Sequence, residues 1–289
     1  MILTKISGGM GNQMFQYALG RALSLRHRVP FKLDITAFEH VSTNKYSIRH
    51  FELSHFSIAG GIATAREIQK MKYPLGKISR YWRGIRARLF KDTNIRFNSK
   101  ILARRSGYFD GYWQSEEYFK EYADVIRSDF APKEPMSASA QALAHELVSA
   151  ALPVSLHIRR GDNAYNADSM KKFGMPSIAY YETGPSLIAQ KLGREDLHVY
   201  IFSDDIDWVR EHLHLHFPVT YVSQEGIADW EEVVLMSRCA HHVIANSTFS
   251  WWGAWLNPSP DKVVVAPLHW ANVAPREFTD VIPSSWIRA

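Results

Sequence analysis

Two consecutive arginines, Arg159 and Arg160, follow an apolar segment at residues 151–158 that is predicted to be a β-strand. In open α/β sheets, ligands bind beyond the carboxyl ends of the strands. Each guanidinium can donate two parallel hydrogen bonds to phosphate oxygens, so the pair suits a diphosphate. An isolated RRxD string is more often a surface ion pair, here with Asp162, and other motifs must decide between these interpretations.

The next predicted strand also ends in charged residues, in the segment FSDD at residues 202–205. Carboxylates at a strand end bind ribose hydroxyls or a divalent metal, so Asp204 and Asp205 fit either ligand. The structural alternative is that Ser203 or Asp204 caps the following helix. Because Arg159 and Arg160 can neutralise a diphosphate by themselves, a metal is not required here.

The segment NSTFSWWGAWL, at residues 246–256, follows another apolar strand and opens a predicted helix. Hydroxyl groups and unpaired backbone N–H groups at a helix N-terminus bind phosphate well. Ser247, Thr248 and Ser250 therefore form a second candidate phosphate site. The three tryptophans of this segment either stack on a sugar or, as their helical spacing favours for at least one of them, pack in the core.

The N-terminal half carries a glycine turn, GGMGNQMFQYA, at residues 8–18. Gly9 and Gly11 let backbone N–H groups approach an anion at the start of a helix. The third glycine of a dinucleotide-binding fingerprint is missing, which disfavours a Rossmann dehydrogenase. Asn12 and Gln13 instead offer neutral groups for sugar hydroxyls or a phosphate. The alternative is a tight turn in which Asn12 caps the helix.

The elements that position these motifs alternate between strand and helix, which predicts doubly wound parallel sheets. In the C-terminal half, strands are predicted at 151–158, 197–203, 217–222, 241–246 and 262–266, with helices at about 177–192, 205–213, 228–238 and 249–256. In the N-terminal half, strands are predicted at 2–6, 30–34 and 107–113, with helices at about 12–28 and 115–128. A linker at 131–137 and a short helix at 138–150 separate two α/β domains, 1–150 and 151–289, that are expected to face one another across a cleft.

The composition is that of a soluble globular protein, with 46% hydrophobic and 22% charged residues. No apolar run approaches the roughly 18–20 residues of a membrane span. The single cysteine, Cys239, excludes an internal disulfide and fits a reducing compartment, so a cytoplasmic location is expected.

Positive charge is concentrated in residues 70–105, which hold twelve Lys or Arg and one acid, Asp92. Aromatic and aliphatic residues are interleaved with these charges, a pattern that suits peripheral contact with the inner face of an anionic membrane. No nucleic-acid-binding motif is present, so nucleic acid is not expected as a partner. A solvated basic face without a partner is the remaining alternative.

Taken together, five motifs resemble the bacterial α-1,2-fucosyltransferases of glycosyltransferase family 11: GGMGNQMFQYA, GYWQSEEYF, HIRRGD, FSDD and NSTFSWWGAWL. The motifs occur in the family's order and span residues 8–256. HIRRGD alone is shared with α-1,6- and protein O-fucosyltransferases, whereas the last motif together with the GNQ turn is specific. The resemblance implies a GT-B-like fold built from two Rossmann-like domains.

The resemblance also implies the reaction: inverting transfer of fucose from GDP-β-L-fucose to O2 of a terminal β-galactoside, without a metal or other cofactor. The acceptor is an oligosaccharide or a lipid-linked glycan, as in O-antigen biosynthesis. Alternatives are a fucosyltransferase of another linkage, such as α-1,6, and a non-catalytic protein of the same fold that binds a GDP-sugar or a glycan.

By position, the resemblance implies catalytic roles for Arg159, which would hold the donor's β-phosphate, and for Asn12. It implies donor binding by Gly9, Gly11, His157, Arg160, Asp162, Asp204, Asp205, Asn246, Ser247, Thr248, Phe249 and Ser250. Where the family usually has an aspartate that binds guanine, this chain has Glu232, and Asp229 and Glu231 are weaker substitutes. On the acceptor side, the candidates are Asp34, Asp110 and Gln114; of these, the two aspartates are candidate bases, and the sequence does not choose between them.

Overall fold

A computed structural model describes residues 1–39, 49–74, 76, 96–161, 167–272 and 278–289, which fall into two compact units, Met1–Lys133 and Glu134–Ala289. The boundary therefore lies before the predicted one at 150/151. The helix that precedes position 150 belongs to the second unit because its ends are bonded there. The Ser137 hydroxyl donates to Glu231 Oε2 at 3.1 Å, and the Tyr200 hydroxyl donates to Glu146 at 3.0 Å.

The first unit is a four-stranded parallel sheet with the strand order β3-β2-β1-β4. Its elements are β1 (Ile2–Lys5), α1 (Met10–His27), β2 (Phe31–Asp34), β3 (Gly61–Ile62), α2 (Ala65–Lys72), β4 (Gly107–Phe109) and α3 (Ala123–Asp129). Helix α2 begins with a capping box formed by Thr64 and Glu67, a T-x-x-E pattern that the sequence displays.

The long helix α1 is fixed by polar contacts as well as by its apolar side. The Tyr17 hydroxyl donates to Asp129 Oδ2 at 2.7 Å, and Arg21 Nε donates to the same oxygen at 2.8 Å. Asp129 is 8% exposed, and its charge is compensated inside the unit by Arg21. A buried carboxylate without such partners would be strongly destabilising, so α1 and α3 are held in one arrangement.

The second unit is a six-stranded parallel sheet with the order β10-β9-β8-β5-β6-β7. Its elements are α4 (Ala138–Ser149), β5 (Pro153–Ile158), α5 (Ala167–Phe173), α6 (Ile178–Leu192), β6 (His198–Ser203), α7 (Ile206–His212), β7 (Val219–Tyr221), α8 (Asp229–Arg238), β8 (His241–Val243), α9 (Thr248–Leu256), β9 (Val264–Ala266) and β10 (Ile287–Arg288). Every residue of β5 is buried, as expected for a central parallel strand.

Two predictions for the first unit differ from the structure. The strand predicted at 107–113 ends at Phe109, and the chain then continues irregularly to Trp113, whose φ is +56°. The helix predicted at about 115–128 is two short 3₁₀ turns, Glu116–Tyr118 and Lys120–Tyr122, followed by α3. The predicted site residue Asp162 and most of the basic segment, residues 77–95, lie outside the described residues.

Within the described residues, no helix is both long enough and apolar enough to cross a membrane. The single cysteine, Cys239, is 1% exposed at the end of α8, and burial raises the pKa of its thiol.

Candidate active site

The arginine motif lies where the strand order of the second sheet reverses. From β5 the chain continues to β6 and β7 on one side, and then returns to form β8, β9 and β10 on the other side of β5. Such a reversal leaves a crevice at the carboxyl ends of the two strands that flank it, which is where α/β sheets bind ligands. Here those strands are β5 and β8, so Arg159 and the loop at Ser247 border the same crevice.

Arg160 is held by groups from the neighbouring strand end. Its backbone N–H donates to Asp204 Oδ1 at 2.7 Å, and its side-chain Nε donates to Asp205 Oδ2 at 2.9 Å. Its guanidinium carbon lies 3.7 Å from the centroid of the Trp208 ring. A Cβ atom at Gly161 would collide with Asp204 Oδ2, so a larger residue there would require this carboxylate to shift. The two aspartates of FSDD therefore position the arginine loop.

The side chain of Arg159 is partly exposed and begins at the carboxyl end of β5. Its charge reaches His157, two residues earlier on the same strand. Burial first, and then the charge of Arg159, lower the pKa of His157 to about 3, so this imidazole is neutral at physiological pH. The ring of His157 lies 5.4 Å from that of Phe249, which brings the first and last motifs of the unit together.

The loop after β8 presents the start of α9. Ser247 is the N-cap of this helix and its Oγ accepts from the backbone N–H of Phe249 at 3.3 Å. Ser250 is fully buried, and its Oγ donates to the Ser247 carbonyl at 3.4 Å. Asn246 donates to the carbonyls of Phe173 and Gly174, at 3.1 and 3.3 Å. Of the predicted donor-binding residues of this loop, Thr248 and Phe249 thus have partly exposed side chains that make none of the bonds named above.

The three tryptophans of α9 pack in the core. Trp251 and Trp252 are fully buried, and Trp255 is 4% exposed. Trp251 Nε1 donates to the Val281 carbonyl at 2.7 Å, and its ring contacts that of Trp286. The prediction that helical spacing favours core packing holds for all three, and none of them offers a face to a sugar.

Glu232 and Glu231 are adjacent in α8 and have different roles. Glu231 is 3% exposed and accepts from the Ala228 backbone N–H at 2.8 Å, and it also accepts from Ser137. Its carboxylate is therefore fully used in the fold. Glu232 is partly exposed and bonds to Ser223, beyond the end of β7, and burial raises the pKa of Glu232 to about 7. A carboxylate that is costly to ionise in the free protein is a good site for a ligand that donates hydrogen bonds.

In the first unit, the glycine turn begins α1 without a side-chain cap. Gly9 is the N-cap, and Asn12 lies in the first turn of the helix, so the interpretation of Asn12 as a cap is wrong. Gly8 has a φ of +80°, which glycine adopts without strain. The Asn12 side chain instead meets Gln114, whose Nε2 donates to Asn12 Oδ1 at 2.7 Å.

Gln114 is presented by a strained turn after β4. The Ser115 backbone N–H donates to the Trp113 carbonyl at 2.8 Å, which turns the chain tightly at Gln114. The positive φ of Trp113 costs about 1–3 kcal/mol for a residue with a side chain. Ring contacts with Phe109 and Tyr118 hold Trp113 in place. Backbone strain of this kind persists only where the surrounding packing enforces the conformation, and such positions cluster at active sites and ligand-binding sites.

The two other amides of the turn motif are structural. Gln13 is fully buried; it donates to the carbonyls of Gly8 and His50 and accepts from the Glu52 N–H at 3.0 Å. Gln16 accepts from the Ser7 N–H and donates to the Gly111 carbonyl, which ties the end of β1 to the end of β4. The prediction that Gln13 faces a ligand is therefore wrong, because its whole amide is bonded to backbone.

The two candidate bases differ in their surroundings. Asp34 is 1% exposed and accepts from the Thr36 N–H and hydroxyl and from the Tyr108 hydroxyl. Burial opposes ionisation, but these bonds outweigh it and lower the pKa of Asp34. Asp34 thus acts as a structural carboxylate. Asp110 is exposed at the end of β4 and forms an ion pair with Lys5 at 3.4 Å.

Two groups that sequence reasoning missed are Trp208 and Ser223. Trp208 supports Arg160 from the first turn of α7, and its ring also stacks on that of His212 with ring centroids 4.2 Å apart. Ser223 receives the Ser203 N–H at 2.9 Å and links the end of β6 to Glu232. Neither belongs to a recognisable motif, although Trp208 lies close to FSDD. Within the described chain, no three His, Cys, Asp or Glu side chains are grouped to hold a metal ion.

Comparison with protein families gives one match over almost the whole chain: residues 1–288 match the model described as glycosyl transferase family 11. Among curated proteins, the chain is 28% identical to an alpha-1,2-colitosyltransferase of Escherichia coli over 100% of this chain and 98% of that protein. It is 32% identical to the O-antigen biosynthesis glycosyltransferase WbnK of Escherichia coli, over 98% of each chain. The galactoside alpha-(1,2)-fucosyltransferase 1 of Saimiri boliviensis boliviensis is 24% identical over 50% of this chain and 42% of that protein.

Among solved structures, the fucosyltransferase NodZ from Bradyrhizobium is similar in fold, with a TM-score of 0.54 at 15% identity over 89% of this chain and 93% of that chain. A NodZ α-1,6-fucosyltransferase soaked with GDP-fucose gives a TM-score of 0.50 at 16% identity, over 89% of this chain and 92% of that chain. The likeness confirms the predicted GT-B-like α/β fold, with parallel sheets in both units.

Proposed function

We propose, from the premise that this chain belongs to glycosyl transferase family 11, that it transfers L-fucose from GDP-β-L-fucose to O2 of a terminal β-galactoside with inversion. Membership of the family supports glycosyltransferase activity; the donor, the acceptor atom and the stereochemistry are the proposal. The acceptor class we propose is an oligosaccharide or a lipid-linked glycan of O-antigen type, supported by the name of the WbnK relative.

The observation that carries the proposal is the position of Arg159 at the strand-order reversal, beside the start of α9. A guanidinium and a helix N-terminus at one crevice provide charge and N–H donors for a diphosphate. Glu232 lies on an element that follows β7, and its carboxylate can accept both N–H groups of a guanine edge. The GDP-fucose soak of the NodZ structure, which shares the fold, supports this choice of nucleotide sugar.

In the proposed reaction, the acceptor hydroxyl attacks the anomeric carbon of fucose while the bond from that carbon to the β-phosphate oxygen breaks. The pair of electrons of that bond leaves with GDP. Arg159 stabilises the negative charge that develops on the leaving phosphate, which is the largest electrostatic change of the reaction. Asn12 donates from its amide to an oxygen of the donor.

The proton of the acceptor hydroxyl leaves late, because an oxocarbenium-like transition state needs little help from a nucleophile. Asp34 is not suited to take it, since its two carboxylate oxygens are occupied by Thr36 and Tyr108. Asp110 is exposed and remains the candidate on the acceptor side. We expect Asp110→Asn to reduce turnover only modestly if the proton is transferred after the glycosidic bond has broken.

The test is incubation of the purified protein with GDP-fucose and lactose, followed by location of the new linkage by NMR. A fucosyl group on O2 of galactose supports the proposal. A product linked at another position would establish a different transferase, and binding of GDP-fucose without any product on a panel of galactosides would favour a non-catalytic binding protein.

A second donor is favoured by the colitosyltransferase relative. Colitose is L-fucose without its 3-hydroxyl group, so a GDP-activated colitose would make the same contacts except those to that hydroxyl. The ratio of kcat/KM for GDP-fucose to kcat/KM for the GDP-activated colitose shows which of the two donors the protein prefers. Preference for fucose by about 10⁴-fold or more would mean that a polar group binds the 3-hydroxyl, because a site built to bind a hydroxyl rejects its absence strongly.

The basic segment at residues 70–105 supports a peripheral contact with an anionic membrane, where a lipid-linked acceptor would be presented. Each basic residue near such a surface contributes about 1 kcal/mol. Co-sedimentation with anionic vesicles at low salt, and its loss at high salt, would support the contact. Equal binding to neutral vesicles, or no binding to anionic ones, would leave the segment as a solvated face.

A further inference from the structure

The side chains of Asn12 and Gln114 are bonded to each other across the top of the first sheet. Gln114 Nε2 donates to Asn12 Oδ1 at 2.7 Å, and Gln114 is 7% exposed. We propose that Gln114 is a positioning residue that fixes which end of the Asn12 amide faces the substrate. The proposal rests on the proposed function, in which Asn12 donates to an oxygen of the sugar nucleotide.

An asparagine amide has two ends of similar size and opposite polarity. A phosphate oxygen can only accept hydrogen bonds. Asn12 can therefore donate to it from Nδ2, whereas Oδ1, itself an acceptor, would repel it. Because Gln114 occupies Oδ1, the Nδ2 end is directed to the glycine turn. A Cβ atom placed on Gly8 would lie 3.2 Å from Asn12 Nδ2, which locates that end beside the uncapped start of α1. Asn12 Nδ2 and the backbone N–H groups at the start of α1 are all hydrogen-bond donors, as an anion requires.

The surroundings hold Gln114 in this orientation. The strained Trp113 and the bond from the Ser115 N–H to the Trp113 carbonyl fix the backbone on both sides of Gln114. Gln16 bridges Ser7 and Gly111 and so keeps the ends of β1 and β4 at a constant separation. Rigid surroundings of this kind are expected where the orientation of a side-chain amide determines how it binds a ligand.

The substitution Gln114→Glu tests this directly, because it preserves the shape and changes the bonding. An ionised carboxylate can only accept, so it bonds to Asn12 Nδ2 and turns Oδ1 toward the substrate. We expect kcat at saturating donor to fall by at least about 10-fold at pH 8, since a lost donor to a developing oxyanion costs on the order of 10²–10³-fold when complete. At lower pH the carboxyl group regains its proton, donates to Oδ1 again, and the ratio to wild type recovers.

Gln69→Glu is the matched control, because Gln69 is exposed on α2 in the same unit. It makes the same chemical change and should follow the wild-type pH profile. Equal thermal midpoints of the three proteins establish that the fold is intact. The double variant Asn12→Ala/Gln114→Glu should lose no more than Asn12→Ala alone, because Gln114 acts through Asn12.

The variant Asn12→Ala distinguishes the role of Asn12 in the proposed function from the positioning role of Gln114. If Asn12→Ala keeps wild-type kcat, the role of Asn12 in the proposed function is wrong. If it loses activity while Gln114→Glu stays at the wild-type level across the pH range, the positioning role is overturned and the proposed function stands. A loss in Gln114→Glu that does not recover at low pH also overturns it. If the protein turns over no GDP-sugar, GDP affinity measured by calorimetry replaces kcat in each comparison of a variant with the wild type.

Discussion

The guanidinium of Arg160 lies over the ring of Trp208, with its central carbon 3.7 Å from the ring centroid. Asp205 holds Nε of the same group at 2.9 Å. Stacking and ion pairing together fix this arginine to the N-terminal part of α7. Arg160 orients the loop, and Arg159 is the one we assign to the leaving phosphate.

We expect Arg159→Lys to lower kcat/KM by about 100-fold or more, because an ammonium cannot reproduce the two-pronged bond of a guanidinium to phosphate. The measurement is initial rates with GDP-fucose and lactose. Arg210→Lys is the matched control: Arg210 lies over the Tyr221 ring at 4.1 Å on the exposed side of α7. Near-wild-type turnover of a folded Arg159→Lys protein would contradict the assignment.

Removing the Trp208 ring that supports Arg160 should weaken donor binding without abolishing transfer. We expect Trp208→Leu to raise KM for the donor by about 10-fold, because a partly buried cation–π contact contributes roughly 1–2 kcal/mol. The value of kcat should change less than KM does. Tyr221→Leu removes the equivalent ring beneath Arg210 and should leave both constants unchanged. A Trp208→Leu protein with unaltered KM would show that Asp204 and Asp205 suffice.

We expect Glu232, the proposed guanine-binding carboxylate, to make GDP binding depend on pH. Its folded-state pKa of about 7 lies above the value of about 4.3 in an unfolded chain, so its contribution to the free energy of unfolding falls as pH rises from about 4 to 7. Guanine needs the ionised carboxylate as acceptor. We therefore expect GDP affinity, measured by calorimetry, to increase between pH 6 and pH 8, with release of a proton on binding at the lower pH.

Two controls isolate this effect from titration of the nucleotide itself. ADP carries the same diphosphate but no neighbouring pair of N–H donors on its base, so its affinity should not increase in this way. Glu232→Gln should lose the part of the pH dependence that ADP does not show, and it should bind GDP weakly at every pH. Retention of the full pH dependence in Glu232→Gln would place the guanine elsewhere.

Transfer should continue in excess EDTA. The carboxylates of Asp204 and Asp205 are already bonded to Arg160. In the proposed reaction, Arg159 supplies positive charge for the diphosphate. The measurement is the rate after chelation and again after addition of Mn²⁺ or Mg²⁺. Complete loss in EDTA with recovery on adding metal would mean that these aspartates release Arg160 to bind an ion.

Most strands and helices of the second unit were predictable because their apolar runs are continuous and their ends carry polar motifs, whereas α5 and the two-residue strand β10 were not predicted. β5, β6 and α9 begin and end within about two residues of their predicted limits, in line with usual boundary uncertainty. The turn at Trp113 was not predictable, since a positive φ at tryptophan follows from packing against Phe109 and Tyr118 and not from local preference.

The candidate site was predictable as a set of motifs but not as a division of roles. The family resemblance favours Glu232 over Glu231, but the contacts that distinguish the two side chains arise from Ser137 and Ser223, which are distant in the chain. The bond between Asn12 and Gln114 joins residues that are 102 positions apart. Long-range pairs of this kind are set by how β1 and β4 lie side by side, which local patterns do not contain.

The burial of Cys239 has a practical consequence for spectroscopy. Since the only cysteine of the chain is 1% exposed and its thiol is held protonated by burial, maleimide reagents should leave the native protein unmodified. A cysteine introduced at the exposed Gln224, next to Ser223, would then carry a fluorophore at one defined place without any prior removal of native thiols. Such a labelled protein would report occupancy of the neighbouring Glu232 site in real time, by stopped-flow as well as at equilibrium.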